Sequence, residues 1–368
     1  MKTRAAVLLK PRQMAVEEVE IADPKAGEVR VKVAAVGVCA TDLHRYAGES
    51  AAPLPVVLGH EGAGVVESVG PGVAHVRPGD RVVLSVLPSC GTCKPCLEDR
   101  PYLCAPGWFT LGSGAMLDNT RRLQRAGGGK LYHLLGQSSF AEHAVVCARS
   151  TVKIPDDVPL DTAALLGCGA TTGFGAVLTA PGFAPGCSVA IFGCGGVGTS
   201  GLMAAKAGGA STIIAVDVAD SKLENARRFG ATHTFNSKER SPLPKIRELT
   251  GGLGVDFGFE FVGRPETIAA AAEATRLGGV ATFTGEPRAG DRVAFTPFTF
   301  YGRTLRGNMV GYVRPQVDIP RYAAMVRQGL LPLDRLVTRT YRLEEVEKAL
   351  QDLERGENVR GLIRVSGG

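Results

Sequence analysis

The chain has 368 residues, a length that accommodates two domains of ordinary size, each with its own hydrophobic core. Hydrophobic residues make up 45% and charged residues 21% of the sequence, as is usual in soluble globular proteins. The net charge of +6 is not gathered into a long run of Lys or Arg, and no apolar run approaches the ~20 residues of a membrane span, which argues against nucleic-acid and membrane partners.

The N-terminal sequence MKTRAAVLLK superficially resembles the start of a signal peptide. Its apolar stretch from Ala5 to Leu9 is too short for the hydrophobic region of such a peptide, and it ends in Lys10. We therefore predict a first β-strand and a cytoplasmic protein. In that reducing compartment, clustered cysteines indicate metal binding rather than disulfides.

Up to about residue 160, short strand-like runs alternate with Gly and Pro turns, which predicts a β-rich, barrel-like domain. The clearest runs are Val29–Val38, Gly64–Val69 and Arg81–Val86. Between Ala105 and Leu131 this pattern lapses, so we expect a long surface loop there. The densest basic stretch of the chain falls in that loop and is interpreted as solvated: Arg121, Arg122 and Arg125.

Two sets of residues have metal-ligand character, with different spacings. One is a compact C-x2-C-x2-C-x7-C run that reads as a closed structural zinc site: Cys90, Cys93, Cys96 and Cys104. The other, Cys39, His60 and Cys168, is spread over some 130 residues. Two thiolates and one imidazole leave a tetrahedral position open, as a catalytic zinc requires, so the sequence indicates a zinc enzyme.

From about residue 185, strands and helices alternate, which predicts a doubly wound parallel sheet. A capping-box pattern, Ser221 with Glu224, predicts the start of a helix that ends at Arg228. The other predicted elements are strands Ser188–Phe192, Ser211–Val216, Val255–Phe261 and Val280–Thr284, and helices Val197–Ala207, Glu266–Arg276, Ile319–Gln328 and Leu343–Glu354.

A dinucleotide-binding motif of the form G-x-G-x-x-G follows the first of these strands. Its residues are Gly193, Cys194, Gly195, Gly196, Val197 and Gly198. The next strand ends in Asp217, whose carboxylate can accept hydrogen bonds from the adenosine ribose and repels a 2′-phosphate. We therefore expect NAD rather than NADP; the alternative is a glycine-rich turn that packs tightly and binds nothing.

These motifs resemble those of the zinc-containing medium-chain alcohol dehydrogenases. The resemblance is carried by Cys39-Ala40-Thr41-Asp42, by Gly59-His60-Glu61, and by Gly167-Cys168-Gly169 followed by Thr171-Thr172-Gly173. The four-cysteine run, the glycine motif and Asn358-Val359-Arg360 follow in the family's order, and the long loop before Leu131 is similar to that of the dimeric class I and class III enzymes.

The resemblance implies a fold, a reaction and an assembly. A GroES-like β-rich catalytic domain would comprise residues 1–170 with 308–368, and a Rossmann NAD-binding domain residues 171–307. The protein would be a homodimer with two zinc ions per chain, oxidising a primary alcohol to an aldehyde, reversibly, with hydride transfer to NAD.

The resemblance also assigns roles to single residues. Thr41 would hydrogen-bond the substrate hydroxyl, and His44 would carry the released proton to solvent. Asp42 would hold the imidazole of His60 in its ligating tautomer, and Glu61 would lie close to the metal. Lys222 would contact the adenosine ribose and Arg360 the pyrophosphate, with Thr172 as a further cofactor contact.

Three positions depart from the family pattern. Ala40 replaces the Arg or His that commonly helps to hold the pyrophosphate, which predicts weaker NAD(H) binding. Trp108 stands where glutathione-dependent formaldehyde dehydrogenases keep an Arg, and with Val86, Leu134 and Leu135 it indicates an apolar pocket for a bulky, aromatic or medium-chain alcohol. Glu286 takes the place of an apolar residue and either faces a polar substrate or points to solvent, of which we favour the second.

Other functions remain open from the sequence. The chain could oxidise an adduct of formaldehyde with a thiol other than glutathione, and dependence on added thiol distinguishes this activity. A zinc- and NAD-binding protein without catalysis would bind NADH but turn over no alcohol. Use of NADP is a variant of the leading hypothesis.

Overall fold

We describe a computed structural model of the chain, which covers residues 1–50, 53–288 and 290–365. The described part forms two compact units: one comprises Met1–Gly169 with the C-terminal part from Val313, the other Ala170–Tyr312. No helix among these residues has the length and apolar character needed to cross a membrane.

The first unit is built mainly from β-strands. Its strands are β1 (Lys2–Lys10), β2 (Gln13–Ile21), β3 (Glu28–Gly37), β4 (Val56–Val57), β5 (Gly62–Val69), β6 (Arg81–Leu84), β7 (Leu123–Arg125), β8 (Gly129–Lys130), β9 (Tyr132–His133), β10 (His143–Cys147), β11 (Thr151–Lys153), β18 (Val337–Arg342) and β19 (Arg360–Arg364). Its helices are α1 (Ala40–Ala47), α2 (Lys94–Leu97), α3 (Ala105–Ser113), α4 (Leu160–Ala164), α11 (Pro315–Arg327) and α12 (Val346–Glu354).

Two mostly antiparallel sheets organise this unit. One has the order β8-β7-β2-β1-β4-β9; the other has the order β11-β6-β5-β3-β19-β18, with β10 also paired to β3. Alternating apolar residues of β1 and β2 enter a core with β4 and β10, which includes Val7, Val19, Val57 and Val145. The C-terminal strand β19 pairs with β3, so both ends of the chain build this unit.

The second unit is a doubly wound α/β domain. Its strands are β12 (Ser188–Phe192), β13 (Thr212–Asp217), β14 (His233–Asn236), β15 (Val255–Glu260), β16 (Thr275–Phe283) and β17 (Thr304–Gly307). Its helices are α5 (Gly169–Leu178), which begins at the unit boundary, α6 (Gly196–Ala207), α7 (Asp220–Arg228), α8 (Leu243–Leu249), α9 (Pro265–Ala274) and α10 (Pro297–Phe300). The sheet is parallel throughout, in the order β14-β13-β12-β15-β16-β17. A β-rich unit and a separate unit with a doubly wound parallel sheet are the two-domain architecture that the sequence predicts.

Two predictions about local structure are wrong. The segment expected to be a long loop opens with α3, whose start is fixed by Pro106 in the first turn and by the Cys104 thiol, which accepts the Gly107 amide at 3.4 Å. The predicted capping box of α7 is not formed, because the helix begins two residues earlier, with Ala219 instead of Ser221 as its N-cap.

The interpretation of the basic stretch as solvated is also wrong for its central residue. Arg122 is buried and forms an ion pair with Glu28, and it donates to Asp118 at 2.8 Å. Arg125 lies in β7 and pairs with Glu17 at 2.8 Å, while Arg121 lies over the ring of Tyr132. Arg122 and Arg125 thus tie the segment after α3 to β3 and β2, whose carboxylates neutralise them.

Candidate active site

The three scattered ligand candidates lie at the ends of regular elements of the first unit. Cys39 follows β3 and is the N-cap of α1. His60 lies in the short connection between β4 and β5, and Cys168 lies between a 3₁₀ turn (Leu165–Gly167) and α5. Since β3 and β5 are antiparallel neighbours, the end of the first and the start of the second bring Cys39 and His60 together.

The donor atoms of this set fit a zinc ion. The two thiols, the imidazole and the Glu61 carboxylate each offer one atom, and these atoms all lie within 4.8 Å of one another. Ligand sulfurs about 2.3 Å from a tetrahedral zinc stand about 3.8 Å apart, which the cluster accommodates. His60 is fully buried, and its Nε2 finds no hydrogen-bond partner among the described residues. An unpartnered, buried imidazole nitrogen facing two thiols has the chemistry of a metal ligand.

Electrostatics within the cluster favour thiolate at Cys39. A hydrogen bond from the Cys168 thiol and the charge of His60 hold the pKa of the Cys39 thiol well below its ordinary value despite burial. Burial lowers the pKa of His60, but the charges of Asp42 and Cys39 outweigh burial and raise it. The cluster thus favours the thiolate, the form that binds metal, at Cys39, whereas the hydrogen bond with Cys39 and burial raise the pKa of the Cys168 thiol well above its ordinary value.

Asp42 orients the imidazole of His60. Its Oδ1 lies 3.2 Å from Nδ1 of His60 and also accepts the Gly59 amide at 2.9 Å. Both side chains are completely buried. A carboxylate on Nδ1 fixes the tautomer that leaves Nε2 free to bind a metal.

Glu61 forms a buried ion pair with Arg360, close to the thiols. Its Oε1 accepts from Arg360 Nη2 at 2.8 Å and from the Gly169 amide at 3.0 Å. Two glycines make room for this pair: a Cβ on Gly37 would stand 2.1 Å from Glu61 Oε2, and a Cβ on Gly169 would stand 1.8 Å from Arg360 Nη2. Burial raises the pKa of Glu61 to about 7, against the opposing charge of Arg360.

Sequence reasoning missed this pairing, because 299 positions separate Glu61 from Arg360 and no local pattern connects them. The Arg360 guanidinium, expected at a pyrophosphate, also donates to the Val38 carbonyl at 3.1 Å, and its Nε has no partner among the described residues.

The two residues expected to hold the substrate hydroxyl and carry its proton, Thr41 and His44, lie on α1. Thr41 is half-buried in its first turn. His44 is partly exposed, and its Nδ1 lies 2.7 Å from Glu49 Oε2, just past the helix. Glu49 was not predicted as a partner of His44, because no local pattern indicates the helix that brings the two residues together.

The four cysteines of the compact run also come together, in the segment that contains α2. Their sulfurs lie within 4.8 Å of one another, as a tetrathiolate metal site requires. Backbone amides point at two of them: Cys93 donates to Cys90 Sγ at 3.3 Å, and Cys90 donates to Cys104 Sγ at 3.2 Å. Although burial opposes ionisation, the amides of Thr92 and Cys93 lower the pKa of Cys90 to about 6.

The glycine motif lies between β12 and α6, in the second unit. Gly193 follows β12, and Gly195 is the N-cap of α6, which starts with Gly196, Val197 and Gly198. The helix N-terminus therefore supplies free N–H groups next to the turn, the arrangement that binds a pyrophosphate. Of the remaining cofactor candidates, Thr172 is buried in α5 and Lys222 is half-buried in α7.

Asp217 is fixed by backbone hydrogen bonds at the end of β13. Its Oδ2 accepts the Cys194 amide at 2.8 Å, and its Oδ1 accepts the amides of Val218 at 2.8 Å and Ala219 at 3.1 Å. The carboxylate is thus tied to the glycine motif itself. A carboxylate has about four lone-pair sites, so one remains for a ligand hydroxyl.

The apolar residues expected to line a substrate pocket are mostly buried. Val86, Leu134 and Leu135 are each less than a tenth exposed. Trp108 lies on α3, is 39% exposed, and donates through Nε1 to the Tyr102 carbonyl. Leu135 has a left-handed backbone with φ of 56°. This conformation costs free energy in a leucine and persists only where the surrounding structure enforces it. Glu286 is exposed.

Comparison with known proteins adds to this geometry. Residues 25–156 match the alcohol dehydrogenase GroES-like domain, and residues 196–328 match the zinc-binding dehydrogenase domain. The chain is similar to an alcohol dehydrogenase zinc-binding domain protein from Burkholderia ambifaria, with 38% identity, full coverage of both chains and a TM-score of 0.95. It is also similar to benzyl alcohol dehydrogenase from Acinetobacter calcoaceticus (36%, full coverage of both, TM-score 0.94) and to alcohol dehydrogenase TADH from Thermus sp. ATN1 (29%, 99% and 100% coverage, TM-score 0.84).

Proposed function

The chain belongs to the zinc-dependent alcohol dehydrogenase family, and from this membership we propose that it reversibly oxidises a bulky primary alcohol to an aldehyde with NAD as hydride acceptor. The observation that carries the proposal is the buried cluster of Cys39, His60 and Cys168, in which two thiols face an unpartnered imidazole nitrogen. Such a set binds zinc with one position left for substrate.

The protein's residues would prepare this site for an alcohol. When bound, zinc supplies Lewis acidity, which favours loss of the hydroxyl proton of an alcohol. Asp42 keeps Nδ1 of His60 engaged, so that Nε2 stays directed at the metal. Glu61 and Arg360 place a neutralised pair beside the thiols, so the local charge is set mainly by the sulfurs.

We propose that Thr41 and His44 handle the proton. The Thr41 hydroxyl would accept a hydrogen bond from the substrate hydroxyl and hold it in place. The His44 imidazole is partly exposed and paired with Glu49, so it can exchange a proton with solvent. A histidine suits this step because its intrinsic pKa lies close to neutral pH.

The glycine motif and Asp217 support NAD as cofactor. Gly193, Gly195 and the start of α6 form a turn whose N–H groups can bind a pyrophosphate. The Asp217 carboxylate, held by three backbone amides, places a fixed negative charge that disfavours a 2′-phosphate. Lys222, Thr172 and Arg360 would add further contacts to this cofactor, whose chemistry is hydride transfer.

An aromatic alcohol is the substrate class that we propose. Trp108 cannot form the ion pair that a glutathione adduct needs, and Val86, Leu134 and Leu135 are apolar. The similarity to benzyl alcohol dehydrogenase points in the same direction. Four further sulfurs, of Cys90, Cys93, Cys96 and Cys104, would hold a second, structural zinc, giving two per chain.

We also propose that the protein is a homodimer. Strand β17 ends the sheet order of the described second unit, so one side of its backbone is unpaired. Beside it, Phe298, Phe300 and Tyr301 are strongly exposed, as surface aromatics at a protein contact are. Light scattering should give twice the chain mass, and Phe298→Glu should lower it; a wild-type monomer contradicts this assembly.

A substrate screen tests the proposed reaction. NADH formation is followed by absorbance with aliphatic, aromatic and terpenoid alcohols, each with and without a low-molecular-weight thiol, on protein of known zinc content. Turnover of benzyl alcohol without thiol is expected. Turnover of formaldehyde only with thiol would move the assignment to adduct oxidation, and NADH binding without any turnover would indicate a non-catalytic protein.

A further inference from the structure

Glu260 is a buried acidic residue that the reaction described above does not use. It is the last residue of β15 and is completely buried. In the parallel sheet it stands beside Phe192, the last residue of β12, where the glycine motif begins. It therefore lies at the same edge of the sheet as the dinucleotide turn.

One carboxylate oxygen of Glu260 gathers three donors. Its Oε1 accepts the amides of Val262 at 2.7 Å and Gly263 at 2.8 Å, and the hydroxyl of Thr267 at 2.7 Å. Thr267 lies in the first turn of α9, so this oxygen ties the loop after β15 to the start of the next helix. Negative charge is favoured near a helix N-terminus, which offsets part of the cost of burial.

The loop that Glu260 holds packs directly on the glycine motif. A Cβ on Gly193 would stand 2.5 Å from the Val262 side chain, and a Cβ on Gly201 would stand 3.1 Å from the ring of Phe261. Gly193 has no space for a side chain, and at Gly201 the Phe261 ring would have to give way by a few tenths of an ångström. The position of residues 261–263 therefore determines how closely the turn and α6 can approach β15.

The same loop is locked from its other side. A Cβ on Gly263 would stand 2.4 Å from the Glu286 carbonyl oxygen, and one on Gly285 would stand 1.9 Å from the Gly263 nitrogen. The backbone carbonyl of Glu260 also accepts the Thr284 amide at 2.8 Å. The ends of β15 and β16 thus form one tightly packed layer, and the Glu260 carboxylate is the group that fixes its inner loop.

We propose that Glu260 is a positioning residue of the dinucleotide site, which holds residues 261–263 so that the Gly193–Gly198 turn keeps the shape that binds a pyrophosphate. The inference rests on the proposed nicotinamide cofactor. Glutamine keeps the acceptor oxygen but replaces Oε2, which has no partner among the described residues, with an NH₂ group that needs two acceptors. The loop should then shift away from the glycine motif.

The test compares Glu260→Gln with Glu273→Gln, an exposed glutamate of α9, by fluorescence titration with NADH. Glu260→Gln should bind NADH about tenfold more weakly, a difference of about 1.4 kcal/mol, with unchanged zinc content. Its KM for NAD should rise while kcat at saturating NAD changes by less than about twofold, as expected when binding alone is lost. Glu273→Gln should match the wild type in each measurement.

Two outcomes overturn the inference. If Glu260→Gln lowers thermal stability but binds NADH as tightly as the wild type, the carboxylate serves folding alone. If the wild-type protein binds neither NADH nor NADPH, the proposal of a nicotinamide cofactor is wrong, and this result is obtained from the wild type without any variant. Should Glu260→Gln not fold, Thr267→Val removes one of the three donors and should weaken NADH binding in the same direction, by less; unchanged binding there also contradicts the inference.

Discussion

Substituting Gly37 with alanine probes how closely Glu61 is packed beside the candidate zinc ligands. Gly37 ends β3, and its backbone does not require glycine, so any effect is steric. The new Cβ would stand 2.1 Å from Glu61 Oε2. An ordinary carbon contact is about 3.5 Å, so the carboxylate or the strand must move by more than ~1 Å.

The loss of stability depends on how Glu61 responds to the new Cβ. If Glu61 keeps its partners, the overpacked site loses about 1–3 kcal/mol. If Glu61 turns away, the guanidinium of Arg360 is left buried without its carboxylate, which costs about 3–5 kcal/mol. We predict that Gly37→Ala lowers the free energy of unfolding of the first unit by about 3 kcal/mol, where the two ranges meet.

Urea unfolding followed by tryptophan fluorescence measures this loss, because Trp108 is the chain's single tryptophan and lies in the same unit. Gly112→Ala is the control within the same unit: Gly112 is an exposed residue of α3, and its added Cβ would meet nothing within 4 Å. The control should change the unfolding midpoint little. If Gly37→Ala unfolds within about 0.5 kcal/mol of the wild type, the range of ordinary surface substitutions, Glu61 is not packed as described.

Three further substitutions test other parts of the account. Asp42→Asn should weaken zinc binding about 10–100-fold in a chelator competition, because the imidazole of His60 loses the carboxylate that orients it. Burial lowers the pKa of His133 to about 3, so only the unfolded state gains that proton as pH falls from about 6.5; urea titrations should show the wild type losing about 2 kcal/mol more between pH 7 and pH 5 than His133→Gln. Asp217→Asn should reduce the preference for NAD over NADP in kcat/KM by about tenfold, since the fixed charge that repels a 2′-phosphate is removed.

Much of the fold is encoded locally and could be predicted from the sequence. The strand Ser188–Phe192 was predicted with the bounds that the structure has, because an apolar run ends at a glycine that the turn requires. The β-rich character of the first unit follows from alternating residues and Gly-Pro turns. Helix α3 escaped prediction because its start depends on the Cys104 thiol as a cap, a rare role for cysteine.

In the candidate site, the metal ligands could be predicted from the sequence but the contacts that hold them could not. The metal ligands could be predicted, because two cysteines and a histidine in distinctive local contexts indicate a metal site: Cys39, His60 and Cys168. The contacts that hold them do not appear in any local pattern: Arg360 reaches Glu61 from the end of the chain, and Glu260 acts through a loop that packs on glycines some 65 residues earlier. Such partners are set by which strands pair, and that is known only from the fold.

Zinc analysis combined with turnover by Cys168→Ser shows whether the reaction occurs at the buried cluster of Cys39, His60 and Cys168. Elemental analysis should find two zinc ions per wild-type chain and one in Cys168→Ser, with the tetrathiolate site intact. Benzyl alcohol should reduce NAD with the wild type and not with the variant. A variant that keeps the wild-type rate, or that keeps both zinc ions, would contradict the account.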